Sequence, residues 1–156
     1  MGDEVWLDEG QQESWRSVIG LLTTLPQALE SDLRRMADLT MFDYTVLASL
    51  SEAPDRTMQM SDLAYRANAS LSRLSHVVSR LEKRGWVVRE LSSSDGRATN
   101  AMLTHSGWEK VVATAPLHAQ SVRDLAVNAL TPSQFRQFGT LAKKIERHIE
   151  ERTVTP

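Results

Sequence analysis

From Ser70 to Lys83 the chain reads SLSRLSHVVSRLEK, in which apolar residues alternate with short hydroxyls and long cations. On a helix of about 3.6 residues per turn, Leu71, Leu74, Val77, Val78 and Leu81 gather on one side as core. Ser72, His76, Ser79 and Lys83 line the other, flanked by Arg73 and Arg80, with Ser70 placed as N-cap. Glu82 falls near the core boundary, so the outward face carries no acid. Such a face suits an anionic polymer. Serine lets the helix backbone approach closely, arginine can grip a guanine edge with two hydrogen bonds, and lysine neutralises phosphate. The same pattern also describes an amphipathic helix whose polar face meets only water.

A second cation is placed oddly. Ser92 to Leu103 reads SSSDGRATNAML. Asp95-Gly96 between apolar runs signals a hairpin turn, because glycine accepts positive φ without steric cost. Arg97 follows at the tip, either as a solvated turn residue or as a probe that touches something.

The elements that must position these residues follow from period and punctuation. Trp15, Val18, Leu22, Leu25, Leu29 and Leu33 recur at three- and four-residue steps, predicting a helix from Gln11 to Met36 that Pro26 should kink or split. Thr40 and Asp43 resemble a capping box for a second helix with Phe42, Val46, Leu47 and Leu50 inward. A short strand is expected at Thr57–Met60. Ser61 should cap a short helix over Asp62–Ala67, and Asn68 should adopt a left-handed turn before the helix that starts after Ser70. Gly85 stops that helix, and the hairpin follows. Thr104 caps a long helix to about Asn128, with Pro116 a second expected kink. Thr131-Pro132-Ser133-Gln134 starts a last helix whose stripe of Phe135, Phe138, Ala142, Ile145 and Ile149 wants a partner helix.

The 156 residues suffice for one domain with a sizeable core, and a 41% hydrophobic, 24% charged composition fits a soluble protein. No apolar run approaches the ~20 residues needed to span a bilayer. The acidic N-terminus does not read as a signal peptide, so a cytoplasmic location is expected. The absence of cysteine excludes disulfides, thiolate metal sites and cysteine redox switches. The net charge of −2 hides a local +4 between Arg66 and Arg97, leaving −6 on the rest, and the first thirteen residues hold five acids and no Lys or Arg. A basic island in an acidic chain is either an anion-binding face or solvated surface.

The order of parts (short helix, tight turn, polar-faced helix, hairpin tipped with Arg) is that of a helix-turn-helix with a wing, in which the second helix lies in the major groove and the hairpin reaches the minor groove. Here the chain resembles the MarR (multiple antibiotic resistance regulator) family. The residues that carry the resemblance are MSDLAYRANASLSRLSHVVSRLEKRGWVVRE, then SSDGR, then LTHSG. It implies a mainly α fold with a small β-hairpin wing: one chain, 1–156, with a winged helix-turn-helix lobe over 40–103 and dimerisation helices over 11–36 and 104–151. It further implies a homodimer on a pseudo-palindromic DNA operator, expected to act as a repressor and to be released by a small aromatic or phenolic ligand. Carried over by position, Ser70, Ser72, Arg73, His76, Ser79, Arg80 and Lys83 belong to the recognition helix. Asp95 and Arg97 match the family's wing Asp-x-Arg, where the Arg enters the minor groove and the Asp orients basic side chains. Asn68 stands where relatives often have Gly, and Ser92, Ser93, Ser94, Gly96 and Ala98 stand where they often carry charge.

Trp15, Tyr44 and His118 are the candidate effector contacts, since aromatic walls with one titratable group suit an aromatic anion. They read equally as packing residues and a surface histidine. Trp6 and Trp108 read as packing or interface residues. The four histidines (76, 105, 118, 148) form no i, i+4 pair, and no Gly-rich phosphate loop or nucleophile motif occurs. Neither an enzyme nor a cofactor or metal is expected. The competing reading keeps the fold but docks the basic face on an acidic protein.

Overall fold

The computed structural model describes residues 6–91 and 98–154. Asp95 and Arg97 therefore lie outside the described residues. The helices are α1 (Glu9–Ala37), α2 (Met41–Glu52), α3 (Met60–Arg66), α4 (Leu71–Lys83), α5 (His105–Leu125) and α6 (Pro132–Val154). Three strands, β1 (Thr57–Gln59), β2 (Val87–Leu91) and β3 (Thr99–Leu103), form an antiparallel sheet ordered β1-β3-β2. The sheet is thus one strand wider than the expected hairpin, because β1 pairs with β3 from Thr57 opposite Met102 to Gln59 opposite Asn100.

Local chemistry explains most element ends. Asp8 and Gln11 form a reciprocal capping box that starts α1 two residues earlier than periodicity predicts. Thr40 and Asp43 do the same for α2, Ser70 accepts from the Arg73 amide at 3.2 Å, and Thr104 accepts from the Gly107 amide at 3.0 Å. Asn68 turns with φ 48° and Gly85 with φ 74°. Two expectations fail and one is narrowed. Of the two outcomes expected at Pro26, splitting does not occur: α1 is one helix from Glu9 to Ala37, since one missing ladder bond does not outweigh the turns on either side. Gln59, not Ser61, is the N-cap of α3, because β1 leads straight into the helix and leaves no intervening residue; Ser61 sits in the first turn. α5 ends at Leu125, and a short 3-10 turn takes Val127–Ala129.

The core gathers Leu39, Val46, Leu47 and Leu50 with Leu63, Leu74, Val78, Leu81, Val87 and Leu103, all nearly inaccessible. The stripe of α4 is buried as expected except for Leu71. As the first residue of the helix it overhangs the core and is 54% exposed. Only the C-terminal end of α1, at Leu33 and Ala37, is buried, while Trp15, Val18, Ile19 and Leu22 are exposed. The chain divides between Ala119 and Gln120 into two compact units, the second carrying α6. Among the described residues no helix is long and apolar enough to cross a membrane.

Candidate nucleic-acid interface

α3, the left-handed turn at Asn68 and α4 form a helix-turn-helix, and β2 and β3 continue it as a ribbon. On α4, Ser72, Arg73, His76 and Lys83 are exposed. Ser70 is exposed too, but its hydroxyl caps the helix. The Arg73 guanidinium lies 4.4 Å from the centre of the Phe42 ring, which holds it against the lobe.

Two of the expected surface groups are engaged elsewhere. Arg80 donates to Asp43 Oδ1 at 2.5 Å, and Asp43, 4% exposed, uses its other oxygen to cap α2. Stripping the cation from a buried pair costs about 3–5 kcal/mol, somewhat less here because Arg80 is half exposed. Arg80 therefore reaches an outside ligand only while keeping Asp43. Ser79 is half buried and accepts from Arg89 of β2 at 2.9 Å. Arg89 also meets Ser75 at 3.4 Å and Glu82 at 2.6 Å, and its backbone amide donates to the same Glu82 carboxylate at 3.0 Å. Sequence reasoning missed Asp43 and Arg89 as partners of the recognition helix, the first held by Arg80 and the second by Glu82. Their separations of 37 and 7 residues carry no periodic signal.

The C-terminal end of α4 is fixed in a second way. Arg84 donates at 2.7 Å to both the carbonyl and the carboxylate of Asp38, which ends α1 in the left-handed conformation. Lys110 of α5 donates to the Ala37 carbonyl at 2.6 Å, and both cations lie over the Trp86 ring.

Two open grooves border α4. One, of about 430 Å³, is lined by Gln59, Ser61, Leu71, Ser75 and Arg89 among others. The other, of about 460 Å³, runs past Glu30, Arg34, Phe42, Arg73 and Arg80. Neither contains the candidate effector residues. Of those, Tyr44 and His118 meet with ring centres 4.7 Å apart, whereas Trp15 is 53% exposed and makes no ring contact with them. His118 Nδ1 is buried without a hydrogen-bond partner, and burial holds its pKa below the usual 6.5. Burial, aided by the Glu52 charge, pushes the Tyr44 hydroxyl up. Among the described residues no cluster of three or more metal-ligating side chains occurs.

A sequence model described as the MarR family matches residues 39–99. The chain is similar to Sco3205, a MarR family transcriptional regulator from Streptomyces coelicolor solved in complex with DNA. The identity is 40% and the TM-score 0.89, covering 92% of this chain and 94% of that one. AbsC, a MarR family transcriptional regulator from the same organism, is 38% identical with a TM-score of 0.88, covering 94% and 98%. The transcriptional repressor MprA of Escherichia coli is 24% identical over 108 residues, 69% of this chain and 61% of MprA. The match thus spans about three fifths of that relative's length.

Proposed function

This chain belongs to the MarR family, and from that premise we propose that it is a transcriptional regulator whose α4 enters the major groove of a DNA operator. The observation that carries this reading is the α4 face: Ser72, Arg73, His76 and Lys83 stand exposed with no acid between them. Ser70 sits at the end of that face, and Ser79 and Arg80 support it through Arg89 and Asp43. The DNA complex of Sco3205 supports the same reading. By the resemblance carried in SSDGR, the reading extends to Arg97 as a minor-groove contact, with Asp95 orienting neighbouring cations.

The regulator acts as a homodimer on a pseudo-palindrome. Supporting this, α1 exposes Trp15, Val18, Ile19 and Leu22, and α6 exposes Phe138, Leu141, Ile145 and Ile149, stripes too apolar to leave in water. It represses, as the name of MprA says of that protein, from the cytoplasm. A small aromatic or phenolic ligand at the Tyr44–His118 pair releases it from DNA.

The test is selection of bound fragments from a genomic library with the purified protein, followed by titration of the enriched duplex at two salt concentrations. A pseudo-palindrome with half-sites about 34 Å apart is expected, bound about 10³-fold or more tightly than its scrambled version. Arg97→Ala should weaken binding and reduce the log-affinity against log-salt slope by about one. No enriched motif and equal affinity for the scrambled duplex would remove the DNA reading. Capture of an acidic polypeptide instead would establish the protein-docking alternative.

A further inference from the structure

The Glu82 carboxylate makes an unusual pair of bonds. It lies in the last turns of α4, and its two oxygens take two donors from one residue of β2: the Arg89 backbone amide at 3.0 Å and the Arg89 guanidinium at 2.6 Å. β2 is an edge strand, so its outward amides have no neighbouring strand to pair with. Glu82 supplies that missing acceptor at one position. Beyond Glu82 the guanidinium runs along α4 to Ser79 at 2.9 Å and Ser75 at 3.4 Å. Ser75, Ser79 and Glu82 are spaced by four and three residues, one line along the helix surface. The Arg89 and Glu82 side chains are 32% and 27% exposed, so the contact is better shielded than an ordinary surface ion pair.

We propose that Glu82 is a positioning residue for DNA recognition. By chelating Arg89 it fixes β2, and with it the β2–β3 ribbon, against α4. It thereby sets the distance between the groove contact of the helix and that of the ribbon. Arg89 is committed to this joint and is not a phosphate contact. The inference rests on the DNA reading above, but its first test does not.

Charge alone predicts the opposite of positioning. Glu82 is an acid beside a face meant for phosphate, so neutralising it should tighten DNA binding everywhere. Positioning predicts looser specific binding. The experiment uses the full chain as wild type, Glu82→Gln, Glu82→Asp and Arg89→Gln, each checked for a native melting transition. First, hydrogen exchange at the Arg89 amide is followed by NMR without DNA. Glu82→Gln and Glu82→Asp should speed it by tenfold or more while the Val78 and Leu81 amides of α4 keep their protection; an unchanged Arg89 rate overturns the joint whether or not DNA binds.

Second, the selected operator and a random duplex are titrated. Glu82→Gln and Glu82→Asp should both lose tenfold or more for the operator and keep or gain affinity for random DNA. Hydroxyl-radical protection should fade at the operator flanks and persist at the α4 contacts. Glu82→Asp keeps the charge and shortens the reach, so a wild-type result there overturns positioning, as does a Glu82→Gln variant that binds the operator more tightly. Loss of operator and random binding alike in Arg89→Gln, with a slope smaller by about one, would make Arg89 a phosphate contact and overturn the assignment. Failure of the wild type to prefer any duplex would instead remove the DNA reading, leaving the exchange result to judge the joint.

Discussion

At the scale of single residues, burial decides what a side chain's chemistry becomes. His118 is an unremarkable titratable group in the sequence. Packed against Tyr44 with Nδ1 buried and unbonded, it is held below pKa 6.5. The folded chain then binds fewer protons at this site than the unfolded chain, so stability falls as pH drops from about 6.5 toward the lowered folded value; above that window the group contributes nothing. Urea unfolding midpoints at pH 7.5 and 5.5 check this: the acid-side loss should be smaller in His118→Gln than in the wild type, and an equal loss would place the buried proton elsewhere. Arg80 makes the same point from the other side. Its type and helical position were legible, but the buried Asp43 that holds it comes from another helix 37 residues away, and no local pattern announces such a partner.

At the scale of elements, the caps of α2, α5 and α6 were legible because they are local. Thr40 with Asp43, Thr104 with Gly107 and Thr131 with Gln134 close within three residues, and their residue types state the bond. Gly107 was legible only as part of LTHSG, without a reason. The structure supplies one: a Cβ there would lie 2.1 Å from the Trp86 carbonyl oxygen and 2.7 Å from Leu103 Cδ1. The start of α5 is clasped to the turn after α4, where Thr104 and Ser106 hydroxyls both donate to the Gly85 carbonyl. Gly107→Ala should therefore destabilise by about 1–3 kcal/mol, the usual cost of forcing atoms into a filled space, although alanine is the better helix former. A urea midpoint equal to or above the wild type would show that the close approach is absent in solution. β1 was half legible: its strand character could be read, but not its pairing with β3, which depends on register across about 40 intervening residues.

At the scale of the whole molecule, the apolar stripe of α6 makes the strongest demand. Burying one such side chain is worth about 1.5–3 kcal/mol, and a two-fold interface counts it twice. On the proposed homodimer, Ile145→Asp should raise the dissociation constant by a hundredfold or more, read as a shift toward monomer in sedimentation run beside the wild type; a variant that sediments as a dimer alongside a dimeric wild type would exclude Ile145 from the interface. The periodicities of α1, α4 and α6, the caps of α2, α4, α5 and α6, the left-handed Asn68 and the polar face of α4 were all determined by the sequence itself. Each depends on residues within a few positions of one another, where backbone geometry alone sets who meets whom. The third strand, the burial of Asp43 beneath Arg80, the Glu82–Arg89 joint and the closeness of Gly107 to Trp86 were decided only by the tertiary structure. These contacts join elements whose separation along the chain has no period, and they exist only once the core has brought those elements within hydrogen-bonding distance.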